Sequence, residues 1–216
     1  MLSLNFAHAG ALLKILCLGS HSDDIEIGCG GTILRLLAEG QKVDVTWIVL
    51  ASNVDREREA RNSASKFLDR TDKKSVVVKS FRDGFFPFEG AQIKNYFEQE
   101  IKAISPDVVF THSRKDAHQD HRLVAELTWN TFRNHLILEY EIPKYDGDMG
   151  QPNFFVPLDR EICENKVDYL MEAFGTQRSK AWFAKETFLG LMRLRGMECV
   201  APSGYAEAFY CRKVVI

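Results

Sequence analysis

Three things are scarce in this chain, and each scarcity excludes a class of protein. Among its 216 residues no apolar run approaches the ~20 needed to cross a bilayer, so no membrane span is expected. Cysteine is sparse: Cys17, Cys29, Cys163, Cys199 and Cys211. The number is odd and no two form a C-x-x-C pair, which argues against a disulfide framework or a cysteine zinc site and leaves small buried hydrophobes. An excess of one charge is also missing. The 28 basic and 30 acidic residues give a net charge of −2, mixed along the chain, so no broad basic footprint for nucleic acid is expected. The N-terminal stretch MLSLNFAHAGALLKILCLG has no basic residue before its apolar segment, and that segment reads on into a strand. A secretory signal is therefore not expected, and the cytoplasm is the default location.

What is present is an ordered pattern. Apolar residues make up 45% of the chain, enough for a real core, and the length suits one domain over residues 1–216. KILCLGS (14–20) reads as a buried strand, GTILRLLAE as a helix, and KVDVTWIVL (42–50) as a second strand. A charged helix follows over 55–68, then a strand at SVVVKS, a helix over 91–104, a strand at DVVFTH and a helix over about 120–132. Strands alternating with helices through short connections mean βα units, hence a mostly parallel sheet covered on both faces. Beyond Asn134 the pattern changes to an elaboration. HLILEYEIP and NFFVPL read as strands, 161–174 and 180–196 as helices, and AEAFYCRKVVI as a last strand.

Ligands of such sheets bind beyond the carboxyl ends of the strands, and two unusual clusters fall there. His21, Asp23 and Asp24 follow the first strand, and THSRKDAHQDHR, with His112, Asp116, His118, Asp120 and His121, follows the fourth. A catalytic zinc takes three nitrogen or oxygen ligands at roughly 2.0–2.2 Å and keeps a position for water. His21, Asp24 and one histidine of the second cluster can supply that set, leaving Asp23 to face the water and take its proton. The competing reading of either aspartate is a helix N-cap. Gly28, Gly30 and Gly31 do not complete G-x-G-x-x-G, because Ile33 stands where the last glycine belongs. A tight turn with close backbone approach near the metal is the expected use of these glycines.

These residues resemble a known family. SHSDDIEIGCGGT resembles the A-H-P-D-D-x-E-x-G-x-G-G-T motif of the PIG-L/LmbE-like zinc deacetylases, and DAHQDHR their D-x-H-x-D-H-R motif. REREA, FRDG and GYAEAF resemble three weaker elements, in the family's order. The resemblance implies a Rossmann-like three-layer α/β/α fold and removal of the acetyl group from an N-acetylglucosamine conjugate, possible substrates being a nucleotide sugar or a surface-polysaccharide precursor. It implies zinc held by His21, Asp24 and His121; a mixed nitrogen–oxygen set of this kind also accepts Fe2+ or Co2+. Asp23 would be the general base, His118 would act on the oxyanion and leaving amine, and Asp120 would orient a histidine. Arg56 and Asp83 would touch sugar hydroxyls. Ser22 departs from the family's proline. Alternatives are an amidase acting on a thiol-sugar or other acylated amine, and a non-catalytic sugar-binding protein.

Several residues stay open. Arg56 is read either as a sugar contact or as a partner of Glu59 on a solvated helix face. Asp83 is a sugar contact or the start of a turn at Gly84. His112 is structural or a partner of a ligand, Asp116 a partner of a ligand or an exposed loop acid, and Glu207 a loop anchor or substrate contact. Tyr145, Asp146 and Asp148 are expected on a solvated loop. The aromatics of DGFFPFEG and QPNFFVP are expected in the core or a subunit interface, and a homo-oligomer is the expected assembly.

Overall fold

The computed structural model describes residues 11–215; the first ten residues of the N-terminal stretch and Ile216 lie outside them. β1 (Leu13–Gly19) is followed by α1 (Asp24–Ala38), β2 (Val43–Val49), α2 (Val54–Phe67), β3 (Lys73–Val78) and α3 (Gly90–Gln99). β4 (Val108–His112), α4 (Gln119–Thr131) and β5 (Leu136–Tyr140) complete the βα part. The remainder is β6 (Phe154–Pro157), α5 (Arg160–Ala173), α6 (Lys185–Glu198) and β7 (Ala206–Cys211). The seven strands form one sheet in the order β3-β2-β1-β4-β5-β7-β6. Pairing is parallel from β3 to β5, and β7 runs antiparallel to both β5 and β6. The mostly parallel α/β architecture is the one the alternating sequence pattern predicts.

Strand periodicity of two divides the core into two layers. Leu13, Ile15 and Cys17 of β1 join α1, α2, α5 and α6 residues such as Ile33, Phe67, Val167 and Met192 on one face. Leu16 and Leu18 of the same strand join Ile93 and Phe97 of α3 and Val124 and Leu127 of α4 on the other. Both faces are thus dry, which is why the strands read as near-continuous apolar runs.

Three expectations differ from the structure. First, α1 begins at Asp24, so Gly28, Gly30 and Gly31 lie within the helix and not in a tight turn. Close approach is their function nonetheless. A Cβ at Gly28 would lie 2.4 Å from the Tyr140 ring, and one at Gly30 2.5 Å from Phe67. Second, the last strand stops at Cys211 instead of running to the end of the chain, because β7 has partners in β5 and β6 only as far as that residue. Third, α6 starts at Lys185, five residues later than the apolar spacing predicts, after a 3₁₀ turn over Gly175–Gln177 and further turns.

An unusual contact sits inside α1. The Glu207 carboxylate on β7 accepts the main-chain N–H of Gly31 (2.8 Å) and Thr32 (2.7 Å) and the Thr32 hydroxyl (2.6 Å). Lys166 of α5 donates to Glu207 (2.6 Å) and to the Ile27 carbonyl (2.6 Å). Ile27 and Gly31 are spaced as ordinary helical partners, so the buried ion pair binds both ends of one rung of the helix. A Cβ at Gly31 would stand 2.8 Å from a Glu207 oxygen, which accounts for glycine there. Glu207 therefore anchors a helix.

Candidate metal centre and active site

The carboxyl ends of β1 and β4 bring the two clusters together. The Asp24 carboxylate is fastened first by its own turn, where it accepts the His21 N–H at 2.6 Å. Neither aspartate caps α1 with its side chain, so the capping alternative is not what these acids do. Three donor separations define the centre: His21 Nδ1 to His121 Nε2 is 3.1 Å, His21 Nδ1 to Asp24 Oδ2 is 3.4 Å, and His121 Nε2 to Asp24 Oδ1 is 3.5 Å. A tetrahedral ion with ~2.1 Å bonds separates its ligand atoms by roughly 3.4 Å. The pairwise separations are of that order, with Asp24 turning Oδ2 to His21 and Oδ1 to His121. Candidate donor groups overlap here, among them His21, His118 and His121, and Asp24, His112 and His121, each with donor atoms within 4.8 Å.

The electrostatics point the same way. Burial works against ionising Asp24, but His121, His112 and His21 outweigh it and hold its carboxyl well below the usual range. Burial would lower His21 too, yet Asp24, then hydrogen bonds to Asp120, Asp24 and Asp83, raise its pKa well above the ordinary value. The shift has the sign expected of an imidazole surrounded by acids. His121 is held low, to about 3, by burial and the neighbouring His112. It stays neutral, with the Nε2 lone pair free to ligate.

Both candidate histidine ligands are held from behind. His121 Nδ1 lies 2.9 Å from Asp116 Oδ2, and His21 Nε2 lies 3.3 Å from Asp120 and 3.1 Å from Asp83. Such partners fix tautomer and ring orientation. Asp120 is fully buried and also accepts the N–H groups of Gly84 (2.7 Å) and Phe86 (3.2 Å). Asp83 is 77% exposed at the mouth. His118 is the N-cap of α4, its Nδ1 accepting the Asp120 N–H at 3.3 Å. That places its proton on Nε2. Burial and the charge of His21 lower its pKa, so it is a neutral N–H donor.

Asp23 is almost wholly buried. Its Oδ1 accepts Arg56 Nη2 at 2.6 Å, while Oδ2 has no partner among the described residues. Burial raises its pKa against the pull of Arg56, in the direction a base needs. Arg56 is not on a solvated face. Besides Asp23 it contacts Glu59 (3.4 Å) and the Thr176 hydroxyl (3.1 Å), with Phe174 under its guanidinium.

Sequence reasoning left His112 and Asp116 undecided. Both are buried. His112 Nε2 is 3.2 Å from Asp24 and its ring stacks on His121 at 3.9 Å. Asp148 was expected in solvent; instead it accepts the Ala117 N–H (2.6 Å) and pairs with Lys144 (2.6 Å), which also reaches Asp116 at 3.0 Å. Tyr145 is exposed, its hydroxyl accepting the Ala181 N–H. No spacing rule finds Lys144 or Thr176, because they arrive from loops whose course the local sequence does not specify. Ser22, at the family's proline position, is buried.

Comparison with known proteins follows the same lines. The profile of the PIG-L family, described as GlcNAc-PI de-N-acetylase, matches residues 16–132. A curated relative, the uncharacterized deacetylase YaiS of Escherichia coli (strain K12), is 31% identical over 140 residues, 60% of this chain and 74% of that protein. N,N'-diacetylchitobiose deacetylase from Pyrococcus horikoshii superposes with a TM-score of 0.67 at 20% identity, covering 92% of this chain and 83% of the other. GalB, the 4-carboxy-2-hydroxymuconate hydratase from Pseudomonas putida KT2440, superposes at 0.66 with 16% identity over 94% and 98%. The fold alone thus does not fix the reaction. Among the described residues no helix is long and apolar enough to cross a membrane.

Proposed function

The chain belongs to the PIG-L family, and from that premise we propose that it is a divalent-metal-dependent deacetylase of N-acetylated amino-sugar conjugates. The observation that carries the reading is the buried Oδ2 of Asp23, without a partner among the described residues, beside donor atoms of His21, Asp24 and His121 that lie 3.1–3.5 Å apart in pairs. His21, Asp24 and His121 would hold the ion, with zinc the first candidate and Fe2+ or Co2+ compatible with the mixed nitrogen–oxygen set. When bound, such an ion supplies Lewis acidity, polarising an acetamide carbonyl and acidifying a water.

The protein's own residues divide the remaining work. Asp23 takes the proton of the attacking water, and Arg56 holds its other oxygen so that the free one faces the reaction. His118 donates its Nε2–H to the oxygen on which negative charge develops, a role typically worth ~3 kcal/mol of barrier. As the carbon–nitrogen bond breaks, Asp23 returns its proton to the amine and acetate is left. Asp120 keeps His21 aligned and ties down the loop that carries Asp83, to which this reading gives a sugar hydroxyl. Arg56 is available to the sugar only with the part of its guanidinium not engaged by Asp23, Glu59 and Thr176. The cytoplasm is the compartment we propose.

The test combines metal analysis with acetate release from a panel of N-acetylglucosamine conjugates. Asp23→Ala should keep the metal and lose ~10²–10⁴ in turnover. Metal without acetate from any conjugate would overturn the deacetylase reading and favour an amidase on another acylated amine.

A further inference from the structure

The loop that carries Asp83 to His21 also bears apolar surface that the reaction leaves unused. Phe85 and Phe88 are 37% and 79% exposed, their ring centroids 6.0 Å apart. The Arg82 guanidinium lies 3.4 Å from the centre of the Phe85 ring, with no carboxylate partner among the described residues. These side chains do not sit on loose chain. Gly84 turns the backbone at φ 77°, and its N–H and that of Phe86 are bound by Asp120. The Phe85 N–H returns to the Arg82 carbonyl, the Phe88 N–H to the Phe85 carbonyl, and Glu89 accepts the Arg82 N–H. Phe86 is buried, 6.2 Å from the His21 ring. Asp83, between Arg82 and Gly84, reaches His21 itself. One pinned loop therefore touches His21 and carries two exposed phenylalanine rings, one of them stacked against the Arg82 guanidinium.

We infer that this loop is the aglycone subsite and that it selects a planar aromatic group attached to the amino sugar. Aromatic faces and guanidinium planes stack on planar rings. Groups already fixed in place lose little freedom on binding, so the contact appears as affinity. Contiguous exposed apolar side chains beside a site mark what that site binds. The inference rests on the amino-sugar deacetylase reading.

The experiment measures acetate release from N-acetylglucosamine, N,N'-diacetylchitobiose and 4-nitrophenyl N-acetylglucosaminide by the metal-loaded enzyme and by Phe85→Ala, Phe88→Ala and Arg82→Ala. The aryl conjugate should exceed the free sugar in kcat/KM by about tenfold or more, through KM. That ratio should fall by about fivefold or more in the phenylalanine variants. Equal kcat/KM on all three substrates, a preference for the disaccharide alone, or variants that lower all three in proportion would each overturn the inference. If no substrate releases acetate, the deacetylase reading fails separately. Calorimetric titration with 4-nitrophenyl glucosaminide then decides the subsite: weaker binding to Phe85→Ala supports it, and equal binding overturns it.

Discussion

Replacing Glu207 by alanine should unfold the protein far more easily than its position near the end of the chain suggests. The substitution takes the Glu207 acceptor away from two N–H groups of α1, the Thr32 hydroxyl and the Lys166 ammonium, all of them buried. Removing one partner of a buried ion pair costs ~3–5 kcal/mol. In a domain of this length each kcal/mol moves the melting temperature by ~2–4 °C, so a fall of roughly 6–20 °C follows. Differential scanning calorimetry of the metal-free protein reads it directly. The double variant Glu207→Met with Lys166→Met should recover much of the loss. With both charges gone, no buried ion is left without its counter-ion. A loss below ~1 kcal/mol in Glu207→Ala, or a double variant no better than the single, would refute the argument.

Further outcomes follow from the same structure. Asp116→Ala should weaken metal binding by ~10–100-fold, measured by chelator competition, since Asp116 fixes His121; unchanged affinity would remove it from the site. Buried Glu26 has its pKa pushed up to about 8, chiefly by burial, from an ordinary value of 4.5. Its native form therefore binds more protons than the unfolded chain between those values, and stability falls as pH rises through that window. Glu26→Gln should flatten the decline in urea denaturation of metal-free protein between pH 6 and pH 8; identical slopes would contradict the assignment. Gly30→Ala should cost ~1–3 kcal/mol by pressing a methyl into Phe67, seen as a lower urea midpoint at unchanged slope.

The parts of this protein that a reader of the sequence can find are those encoded locally. Strand and helix periods announce the sheet from β1 to β5, and histidine and aspartate spacing announces both arms of the site. The glycines of α1 misled, because their purpose lies in Tyr140, Phe67 and Glu207, which approach from distant parts of the chain. Arg56 looked like half of a surface pair with Glu59, since nothing nearby in sequence reveals that Asp23 stands 2.6 Å away. Lys144 and Asp148 were hidden for the same reason. Loops beyond the family match supply them, and a loop's course is set by the packing of everything else.

The bond between Glu207 and α1 spans 176 positions of chain. Contacts of such separation close large loops and form late. On the ribosome, the helix bearing Asp24 would emerge long before β7 and wait for it before its middle could be locked. Nascent chains stalled before β7 should therefore present a flexible, protease-sensitive α1, so that the machinery for chemistry matures only once β7 has been made.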